Sequence, residues 1–519
     1  MTVRRVHVLG GGPAGLFVAR LLALRHPDWL VALHERNPPE ETFGFGVGLT
    51  GGLLKALRQA DPALYREITE AAYTFSSSGF RLPQGEASLG RFHSGAISRA
   101  RLLRILLEGA TGAGVRVESH SCDVADLLDD ADLVIAADGA ASATRSRYQE
   151  EFGAEVTPGR GRFIWCGAEV PLDGGVFIPV KTQDGLFVAH AYPYGEKRST
   201  FVIEASAETV SRAGFGDRQF SSEGESDDAG LEYLSKAFSE QLGGGSFSGN
   251  RSRWGWFNTV RCARWHHGKV VLLGDAAATA HPSLGSGTKI AMESAIALAD
   301  ALTSPEVEGE PVEVALERFT QVRRPQVERL QQRATRSQLW WESFETRQYL
   351  SPARMAMAYL SRAGAVSLDD VLVSDRELAA QVLAEFAGVE PGEVPDSGVT
   401  DWVLERPVST PHHQYPRRLH DSPGPTTATV RVEGGDAWGP DGAELIEQAR
   451  EFVRRGVAVI RLTGEDSQGA LLDRLAVGER IRAELPVLVD VAAGPRYLRH
   501  AVDGVVAGRT DLVHVMEGS

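Results

Sequence analysis

The chain has 519 residues, a length that corresponds to about three domains of ordinary size. Hydrophobic residues make up 43% of it and charged residues 24%, a balance typical of globular proteins that excludes fibrous and wholly disordered chains. Its 69 acidic and 54 basic side chains leave a formal net charge of −15, so neither nucleic acid nor an anionic membrane is expected as the main partner.

The cysteine content and the N-terminus indicate the compartment. The three cysteines are too few and too dispersed for a disulfide framework or a zinc site, so we expect a reducing, cytoplasmic environment and no metal. No apolar run approaches the roughly 18 residues of a membrane span, and no signal-peptide pattern precedes the first strand. We therefore expect no membrane partner.

A βαβ unit is predicted at the start of the chain. Residues 3–9 read as a strand, and the turn that follows contains Gly10, Gly12 and Gly15 in the pattern G-x-G-x-x-G. Gly10 permits the tight turn, Gly12 lets the backbone approach a pyrophosphate, and Gly15 lets helix and strand pack closely. The pattern predicts dinucleotide binding, and a glycine-rich turn without a ligand is the alternative.

The helix and the second strand of this unit support the same interpretation. Pro13 and Ala14 begin the helical pattern at 14–26, and the N–H groups and positive dipole end of such a helix suit phosphates. Glu35 ends the second strand, at 30–35, about 20 residues after the glycine turn, where it is placed to accept a hydrogen bond from a ribose hydroxyl.

Further elements are predicted in chain order. They are a helix at 98–113, a strand at 132–137, a mostly antiparallel sheet over 163–205, a polar surface loop over 211–230, a strand at 269–274, a helix at 285–302 and mostly helices over 311–385.

The composition then changes. Seven prolines lie between Pro391 and Pro425, which indicates a linker or an extended crossover segment. Beyond it, strands at 428–432, 457–462, 486–491 and 512–515 alternate with helices at 442–455, 470–484 and 495–502. This alternation predicts parallel β/α packing, but about four strands cannot close an eight-stranded barrel of about 250 residues.

Two further segments indicate which dinucleotide is bound. Asp138 and Gly139 follow the strand at 132–137, and Gly274 and Asp275 stand at the end of the strand at 269–274. Together with the glycine turn, these segments resemble in order and spacing the FAD-dependent class A aromatic monooxygenases, which have the p-hydroxybenzoate hydroxylase fold. The resemblance covers roughly residues 1–385.

The resemblance implies one non-covalent FAD per chain. Besides the glycine turn, it assigns the following residues to the cofactor: Glu35, Arg36, Val47, Arg99, Asp138, Gly139, Gly274, Asp275, Pro282, Gly285, Gly287 and Thr288. Arg99 would face the phosphates, Asp275 the ribityl or pyrophosphate part, and Pro282 the isoalloxazine ring. The alternative for Asp275 is a helix cap without a ligand.

Further stretches resemble the branch of this class that acts on aryl-CoA thioesters. They are residues 35–37, 42–47, 190–194, 199–204 and 285–293, and hydroxylases of indole derivatives are similar over two of them. The resemblance implies that NAD(P)H and O2 serve to hydroxylate an electron-rich ring, as in a 2-hydroxy- or 2-aminobenzoyl thioester of CoA or a carrier protein. A tailoring hydroxylase of an indole or polyketide intermediate and a flavin-dependent reductase or dehydrogenase are the alternatives.

Three side chains are the candidate catalytic residues. His190 and Tyr192 lie in the predicted antiparallel sheet, and His281 precedes the proline assigned to the isoalloxazine ring. Ordinary core packing is the competing interpretation for each. Four arginines are candidates for CoA phosphates or, alternatively, for a solvated basic face: Arg160, Arg162, Arg251 and Arg253.

The C-terminal segment 428–519 resembles the second half of an old-yellow-enzyme barrel, which implies a remnant that holds no FMN. We therefore predict an α/β chain with a p-hydroxybenzoate-hydroxylase-like FAD-binding fold, an antiparallel substrate sheet and a small β/α domain resembling half of a TIM barrel. The boundaries are 1–70, 93–160 and 258–310 for FAD, 71–92 and 161–257 for substrate, 311–390 helical, 391–427 linker and 428–519 truncated barrel. A homodimer is compatible with this organisation.

Overall fold

The computed structural model describes residues 3–37, 41–216, 220, 224–304, 306, 309–411, 413–420 and 426–516. Two compact units divide the chain, Met1–Ser76 with Phe92–Gln338 and Ser77–Arg91 with Leu339–Ser519. Within the described ranges, no helix is long and apolar enough to cross a membrane.

The elements up to α11 are as follows. The strands are β1 Arg5–Leu9, β2 Leu30–His34, β3 Gly46–Leu49, β4 Tyr73–Leu82, β5 Gly85–Ser98, β6 Arg116–Glu118, β7 Leu133–Ala136, β8 Ala154–Ala168, β9 Gly175–Thr182, β10 Gly185–Gly195, β11 Arg198–Ser206, β12 Phe247–Ser248, β13 Gly255–Cys262, β14 His266–His267 and β15 Val270–Leu272. The helices are α1 Pro13–Arg25, α2 Gly51–Ala60, α3 Pro62–Ala71, α4 Arg99–Gly112, α5 Val124–Leu127, α6 Ala143–Arg147, α7 Gln149–Phe152, α8 Ala207–Arg212, α9 Asp228–Ala237, α10 Gly287–Thr303 and α11 Val312–Glu342.

The first sheet has the strand order β14-β15-β7-β1-β2-β6, in which all neighbours except β14 and β15 run parallel. Of its central strands, β7 is a fully buried apolar run and β1 buries Val6, Val8 and Leu9, as the covered strands of a parallel sheet do, and α1 packs against α4 and α10. Leu9 pairs with Ala136, and Ala136 with Leu272, at the carboxyl ends of β1, β7 and β15. The loops that follow these three strands therefore meet at one edge of the sheet.

The second sheet is antiparallel, which confirms the prediction for residues 163–205. Its strand order is β12-β8-β11-β10-β9-β4-β5-β3, and β13 also pairs with β8. The sheet is larger than the sequence pattern predicts because residues 46–49 and 255–262 join it as β3 and β13.

Alternation along the strands gives the second sheet two different faces. On one face Ile164, Phe201 and Ile203 join an apolar core with residues of α8 and α9. Cross-strand pairing places on the opposite face Phe163, Trp165, Phe177, His190, Val202 and Glu204. We call this opposite face the substrate face, after the role that the sequence analysis predicts for the sheet.

The second unit contains the remaining elements. They are α12 Pro352–Ser361, α13 Leu368–Ser374, α14 Arg376–Ala387, α15 Val399–Leu404, β16 Val408–Ser409, β17 Gln414–Tyr415, β18 Arg418–Leu419, β19 Thr427–Arg431, α16 Pro440–Arg454, β20 Val459–Thr463, α17 Gln468–Glu484, β21 Leu488–Ala493, α18 Leu498–Val506 and β22 Leu512–Val515. The strands form a parallel sheet of order β18-β22-β21-β20-β19, with helices between successive strands from β19 to β22, as the alternating pattern predicts.

Buried polar contacts join the helices of this unit to its β/α part. Arg347 is 1% exposed, and its guanidinium donates to both carboxylate oxygens of Glu479 on α17, at 2.7 and 2.5 Å. Asp503 on α18 accepts a hydrogen bond from the N–H of Leu368 at the start of α13, at 2.7 Å. Removing one partner of such a buried pair is costly because it leaves the other unpaired.

The proline-rich segment is folded over its described part. It contains α15 and β16 to β18, and β18 pairs in parallel with β22. Val403, Leu404, Tyr415 and Leu419 are buried. The proline count predicts a linker or an extended crossover in this segment. The described residues instead pack in the second unit, because the apolar residues between the prolines are buried there.

Candidate active site

The three sequence motifs lie in contact at the edge where β1, β7 and β15 end. Gly10 has φ +100°, and a Cβ there would lie 2.4 Å from the carbonyl oxygen of Ala137, next to the second motif. Gly274 has φ +62°, and a Cβ there would lie 2.9 Å from the Cβ of Ala14 on α1. The fold therefore brings the glycine turn, the 138–139 segment and the 274–275 segment together.

An open backbone cradle lies at Gly12. This residue caps α1 with extended backbone, Pro13 occupies the first helical position, and no side chain caps the helix. A Cβ at Gly12 would meet nothing within 4 Å, whereas one at Gly15 would lie 2.0 Å from the carbonyl oxygen of Gly10. The first N–H groups of α1 thus face open space, which suits an anion such as a pyrophosphate.

Glu35 is in contact with the glycine turn. Its carboxylate accepts hydrogen bonds from the N–H of Gly11 at 2.6 Å and from the N–H of Asn37 at 2.8 Å. An ionised carboxylate has further acceptor positions, so a ribose hydroxyl remains a predicted partner. Arg36, which is also assigned to the cofactor, is exposed beside it.

Arg99 and Asp275 are buried opposite charges that influence each other electrostatically. Arg99 opens α4, donates from Nε to Thr42 Oγ1 at 3.0 Å, and its guanidinium lies 4.2 Å from the ring centre of Phe43. Burial raises the pKa of the Asp275 carboxyl, and the positive charge of Arg99 opposes that rise. Burial also lowers the pKa of the Arg99 guanidinium, against the charge of Asp275. Groups that are desolvated in this way are typical of ligand sites.

Tyr192 anchors the strand that carries Val47. Its hydroxyl donates to the carbonyl oxygen of Gly46 at 2.8 Å, and the N–H of Gly46 donates to Thr200 Oγ1 at 2.8 Å. Burial raises the pKa of the Tyr192 phenol, so it stays protonated at neutral pH. These contacts favour a positioning role for Tyr192, and Val47 is buried on β3.

The second motif carries a buried acceptor without a partner. Asp138 Oδ2 accepts from the N–H of Thr144 at 3.0 Å, while Oδ1 is buried and has no hydrogen-bond partner among the described residues. Gly139 follows with φ +83°. Arg145, fully enclosed nearby, donates to the carbonyl oxygens of Ala140 and Ala276, at 2.6 and 3.1 Å, and so joins the second motif to the third.

The third motif ends at the start of α10. A short 3-10 turn, Pro282–Leu284, is followed by Gly285 with φ +61°, and α10 begins at Gly287 with Thr288 in its first turn. No side chain caps this helix, and Ser286 Oγ is buried without a partner in the described part of the chain. The N-terminal start of α10 therefore offers unpaired N–H groups and the positive end of the helix dipole to a ligand.

Two histidines face one carboxylate on the substrate face. His190 Nε2 lies 3.3 Å from Glu204 Oε1, and His281 Nε2 lies 3.8 Å from the same oxygen. The histidines are 8% and 3% exposed, and Glu204 is largely enclosed. Phe177 packs edge-on against His190, and Phe257 against His281, with ring centres 5.0 and 4.5 Å apart.

A chain of polar contacts continues from this cluster. His281 Nδ1 lies 2.9 Å from Ser283 Oγ, which lies 2.6 Å from Ser337 Oγ on α11. The sequence does not decide whether His281 lies beside the flavin or is a structural histidine. In the structure its ring lies beside Glu204. Glu204 is a residue that the sequence reasoning missed, although a lone carboxylate in the apolar strand Phe201–Ala205 is a signal for a polar contact.

Comparison with known proteins gives one family and several relatives. The family described as FAD binding domain matches residues 95–334. Salicyloyl-CoA 5-hydroxylase from Streptomyces sp is 35% identical over 98% of this chain and 99% of its own length. The 3-hydroxy-4-methyl-anthranilyl-[aryl-carrier protein] 5-monooxygenase from Streptosporangium sibiricum is 36% identical over 65% of this chain and 89% of its own.

A solved structure shares the fold. The tetrameric form of 2-methyl-3-hydroxypyridine-5-carboxylic acid oxygenase superposes with a TM-score of 0.52 at 22% identity, covering 70% of this chain and 96% of its own.

Proposed function

The chain belongs to the class A FAD-dependent aromatic monooxygenases, and we propose that it hydroxylates an aryl thioester, a 2-hydroxy- or 2-aminobenzoyl group on CoA or a carrier protein, with NAD(P)H and O2. The observation that carries this proposal is the extent of one match. Similarity to the salicyloyl-CoA enzyme extends over 98% of the chain and so includes the second unit, whereas similarity to the aryl-carrier enzyme extends over 65%.

The site has features that fit FAD. The open cradle at Gly12 offers N–H donors to phosphates, the uncapped start of α10 offers N–H donors to the flavin ring, and the unpartnered Asp138 Oδ1 offers an acceptor to a hydroxyl or N–H group. When bound, FAD would supply the redox chemistry, taking electrons from NAD(P)H and activating O2, from which the transferred oxygen atom comes. Arg99 and Asp275 would hold the cofactor, and the positive charge of Arg99 would favour its phosphates.

We assign proton handling to the cluster on the substrate face. A ring that attacks electrophilic oxygen gains electron density when its hydroxyl loses a proton. His190 is the proposed acceptor of that proton, and the Glu204 carboxylate, 3.3 Å from His190 Nε2, stabilises the imidazolium that forms. His281, held by Ser283, faces the same carboxylate and positions it.

Aromatic side chains line the substrate face around this cluster. Phe163 stacks on Phe257 with ring centres 3.7 Å apart, and Phe177 and Trp165 lie on the same face. Such a surface suits a planar ring and keeps water from the reacting carbon. The long CoA or carrier arm then contributes binding energy at a distance that positions the ring.

The second unit bears on the cofactor content. Over its described residues, the parallel sheet of this unit ends in β18 on one side and β19 on the other, and these five strands are fewer than a closed eight-stranded barrel needs. We propose one FAD per chain and no FMN. Acid release of the bound flavin followed by chromatography tests this, and stoichiometric FMN beside FAD would contradict it.

A substrate panel tests the proposed function. Salicyloyl-CoA, 2-aminobenzoyl-CoA, the two free acids and an indole compound are compared for NAD(P)H oxidation and product, with an anaerobic control. The thioesters should stimulate O2-dependent NAD(P)H oxidation and yield hydroxylated product, and the free acids should do so poorly. A better kcat/KM for a free acid or an indole would refute the thioester assignment. Oxidation of NAD(P)H without O2 would instead indicate a reductase.

A further inference from the structure

A cluster of metal-ligating side chains lies on the first sheet, outside the site described above. The neighbouring strands β1, β2 and β6 run parallel, and His34 pairs with Glu118 at the ends of β2 and β6. The segment after β6 then brings His120 and Cys122 beside them. One ligand atom each from His34, His120 and Cys122 lie within 4.8 Å of one another.

His34 is oriented as a metal ligand would be. Its side chain is 4% exposed, its Nε2 lies 2.9 Å from His7 Nδ1, and the two rings stack. His7 Nε2 in turn lies 3.7 Å from an Asp130 oxygen, which favours a proton on that nitrogen. His7 Nδ1 then accepts, His34 Nε2 donates, and His34 Nδ1 keeps its lone pair. A ligating histidine usually has such an outer partner on its second nitrogen.

The second ring nitrogen of His34 is available to a ligand and lies beside Glu118. His34 Nδ1 is buried and has no hydrogen-bond partner among the described residues, and Glu118 Oε2 lies 3.5 Å from it. The same oxygen lies 3.8 Å from His120 Nε2, while Arg116 engages the other oxygen of Glu118 at 2.9 Å. One Glu118 oxygen is therefore directed to the cluster.

The exposure of the ligands gives an entry route. The His120 side chain is 51% exposed and Cys122 is half-buried, whereas His34 forms the buried floor. Two imidazoles, a thiolate and a carboxylate are a ligand set that suits zinc. With Zn–N near ~2.1 Å and Zn–S near ~2.3 Å, tetrahedral ligand atoms lie about 3.5 Å apart, so the exposed side chains must close by about 1 Å.

We propose that His34, His120, Cys122 and Glu118 bind one divalent cation of the zinc class. The ion fastens the segment after β6 to the end of β2. The cysteine count along the sequence predicts no zinc site. The sequence does not show that β2 and β6 are neighbours, and it is this pairing that brings the four ligands together.

Cobalt substitution in the FAD-loaded enzyme tests the site. After treatment with a chelator, Co2+ should give d–d bands on the red side of the flavin absorption, and a thiolate charge-transfer band in the difference spectrum, saturating at one ion per chain. Zn2+ should displace the cobalt. It should also slow alkylation of Cys122, the half-buried cysteine, whereas Cys166 and Cys262 are buried. Absence of a thiolate band in the wild-type enzyme would overturn the proposal.

Matched variants separate this site from surface binding. Cys122→Ser should remove the charge-transfer band, and His7→Phe, which removes only an outer partner, should weaken Zn2+ binding about 10- to 100-fold. His267→Gln, at an exposed histidine outside the cluster, should bind as the wild type does. FAD content and Tm show that each variant is folded. Equal Zn2+ affinity in the wild type and in Cys122→Ser and His34→Gln variants would overturn the assignment.

Discussion

Replacing Gly12 and Gly15 separately by alanine distinguishes a phosphate cradle from a simple tight turn. The backbone at Gly12 has φ −74° and ψ 177°, which alanine adopts freely, and the new methyl group would meet no protein atom within 4 Å. At Gly15 the same methyl group would lie 2.0 Å from the carbonyl oxygen of Gly10 and 3.3 Å from the Cβ of Ala137. One substitution therefore affects only a ligand, and the other affects the fold.

The expected magnitudes differ accordingly. Gly12→Ala should change the stability of the apoprotein by no more than about 1 kcal/mol, because alanine restricts the unfolded chain but is a poorer N-cap than glycine. Its methyl group occupies the space through which a phosphate reaches the N–H groups, and losing one charge-assisted hydrogen bond costs about 1.5–3 kcal/mol. FAD should therefore bind about 10- to 100-fold more weakly. Gly15→Ala should destabilise the apoprotein by about 3 kcal/mol or more because a backbone oxygen cannot move aside.

Thermal unfolding of the FAD-free proteins and fluorescence titration with FAD measure the two effects separately. Gly12→Ala should give an intact apoprotein that binds FAD weakly, and Gly15→Ala should give a destabilised apoprotein. If Gly12→Ala binds FAD as tightly as wild type, the cradle does not hold the phosphates. If Gly15→Ala is as stable as wild type, the close packing of helix and turn is wrong.

Other substitutions test the remaining parts of the account. Asp275→Ala should raise the Kd for FAD by tenfold or more, since a charge-assisted hydrogen bond is worth about 1.5–3 kcal/mol; unchanged affinity would contradict the cofactor role. Burial alone would raise the pKa of Asp61, but hydrogen bonds from Arg20 and from the backbone hold this pKa below its usual range. The ion pair of Asp61 and Arg20 therefore stabilises the fold above about pH 4, and this stabilisation disappears as the pH falls through the pKa of the folded state. Asp61→Asn should thus lower stability by about 3 kcal/mol at pH 7 and by less in acid, in thermal unfolding at both pH values; a pH-independent loss would refute the ion-pair explanation. Glu204→Gln should lower kcat by about 100-fold with FAD content and Tm unchanged, since His190 loses its carboxylate; unchanged kcat would contradict the role assigned to that carboxylate.

The sequence indicates which segments meet on the proposed cofactor side because its signals are local. The glycine turn, the strand before it and the helix after it are adjacent in the chain, so Gly10, Gly12 and Gly15 can be assigned from spacing alone. The motifs at Asp138 and Gly274 each follow a buried strand, and parallel strands in one sheet bring such loops to a common edge.

The substrate side depends on pairing that no local pattern encodes. Glu204 meets His190 only because β10 and β11 pair in a register that puts both side chains on one face, and a shift by one residue would separate them.

The proposed metal site also depends on strand order. His34 and His120 meet because β6 lies beside β2, an order that the chain sequence does not reveal. Buried Tyr415 and Leu419 show in the same way that a proline count does not predict whether a segment packs.

The most direct test of the central claim is the fate of oxygen from isotopically labelled O2 during turnover of salicyloyl-CoA with NAD(P)H. The account predicts that one labelled oxygen atom enters the aromatic ring of the thioester product, para to the existing hydroxyl group. Mass spectrometry counts the label, and NMR of the product gives its position. Consumption of NAD(P)H with no label in the ring, or labelled product from free salicylate but not from the thioester, would contradict the account.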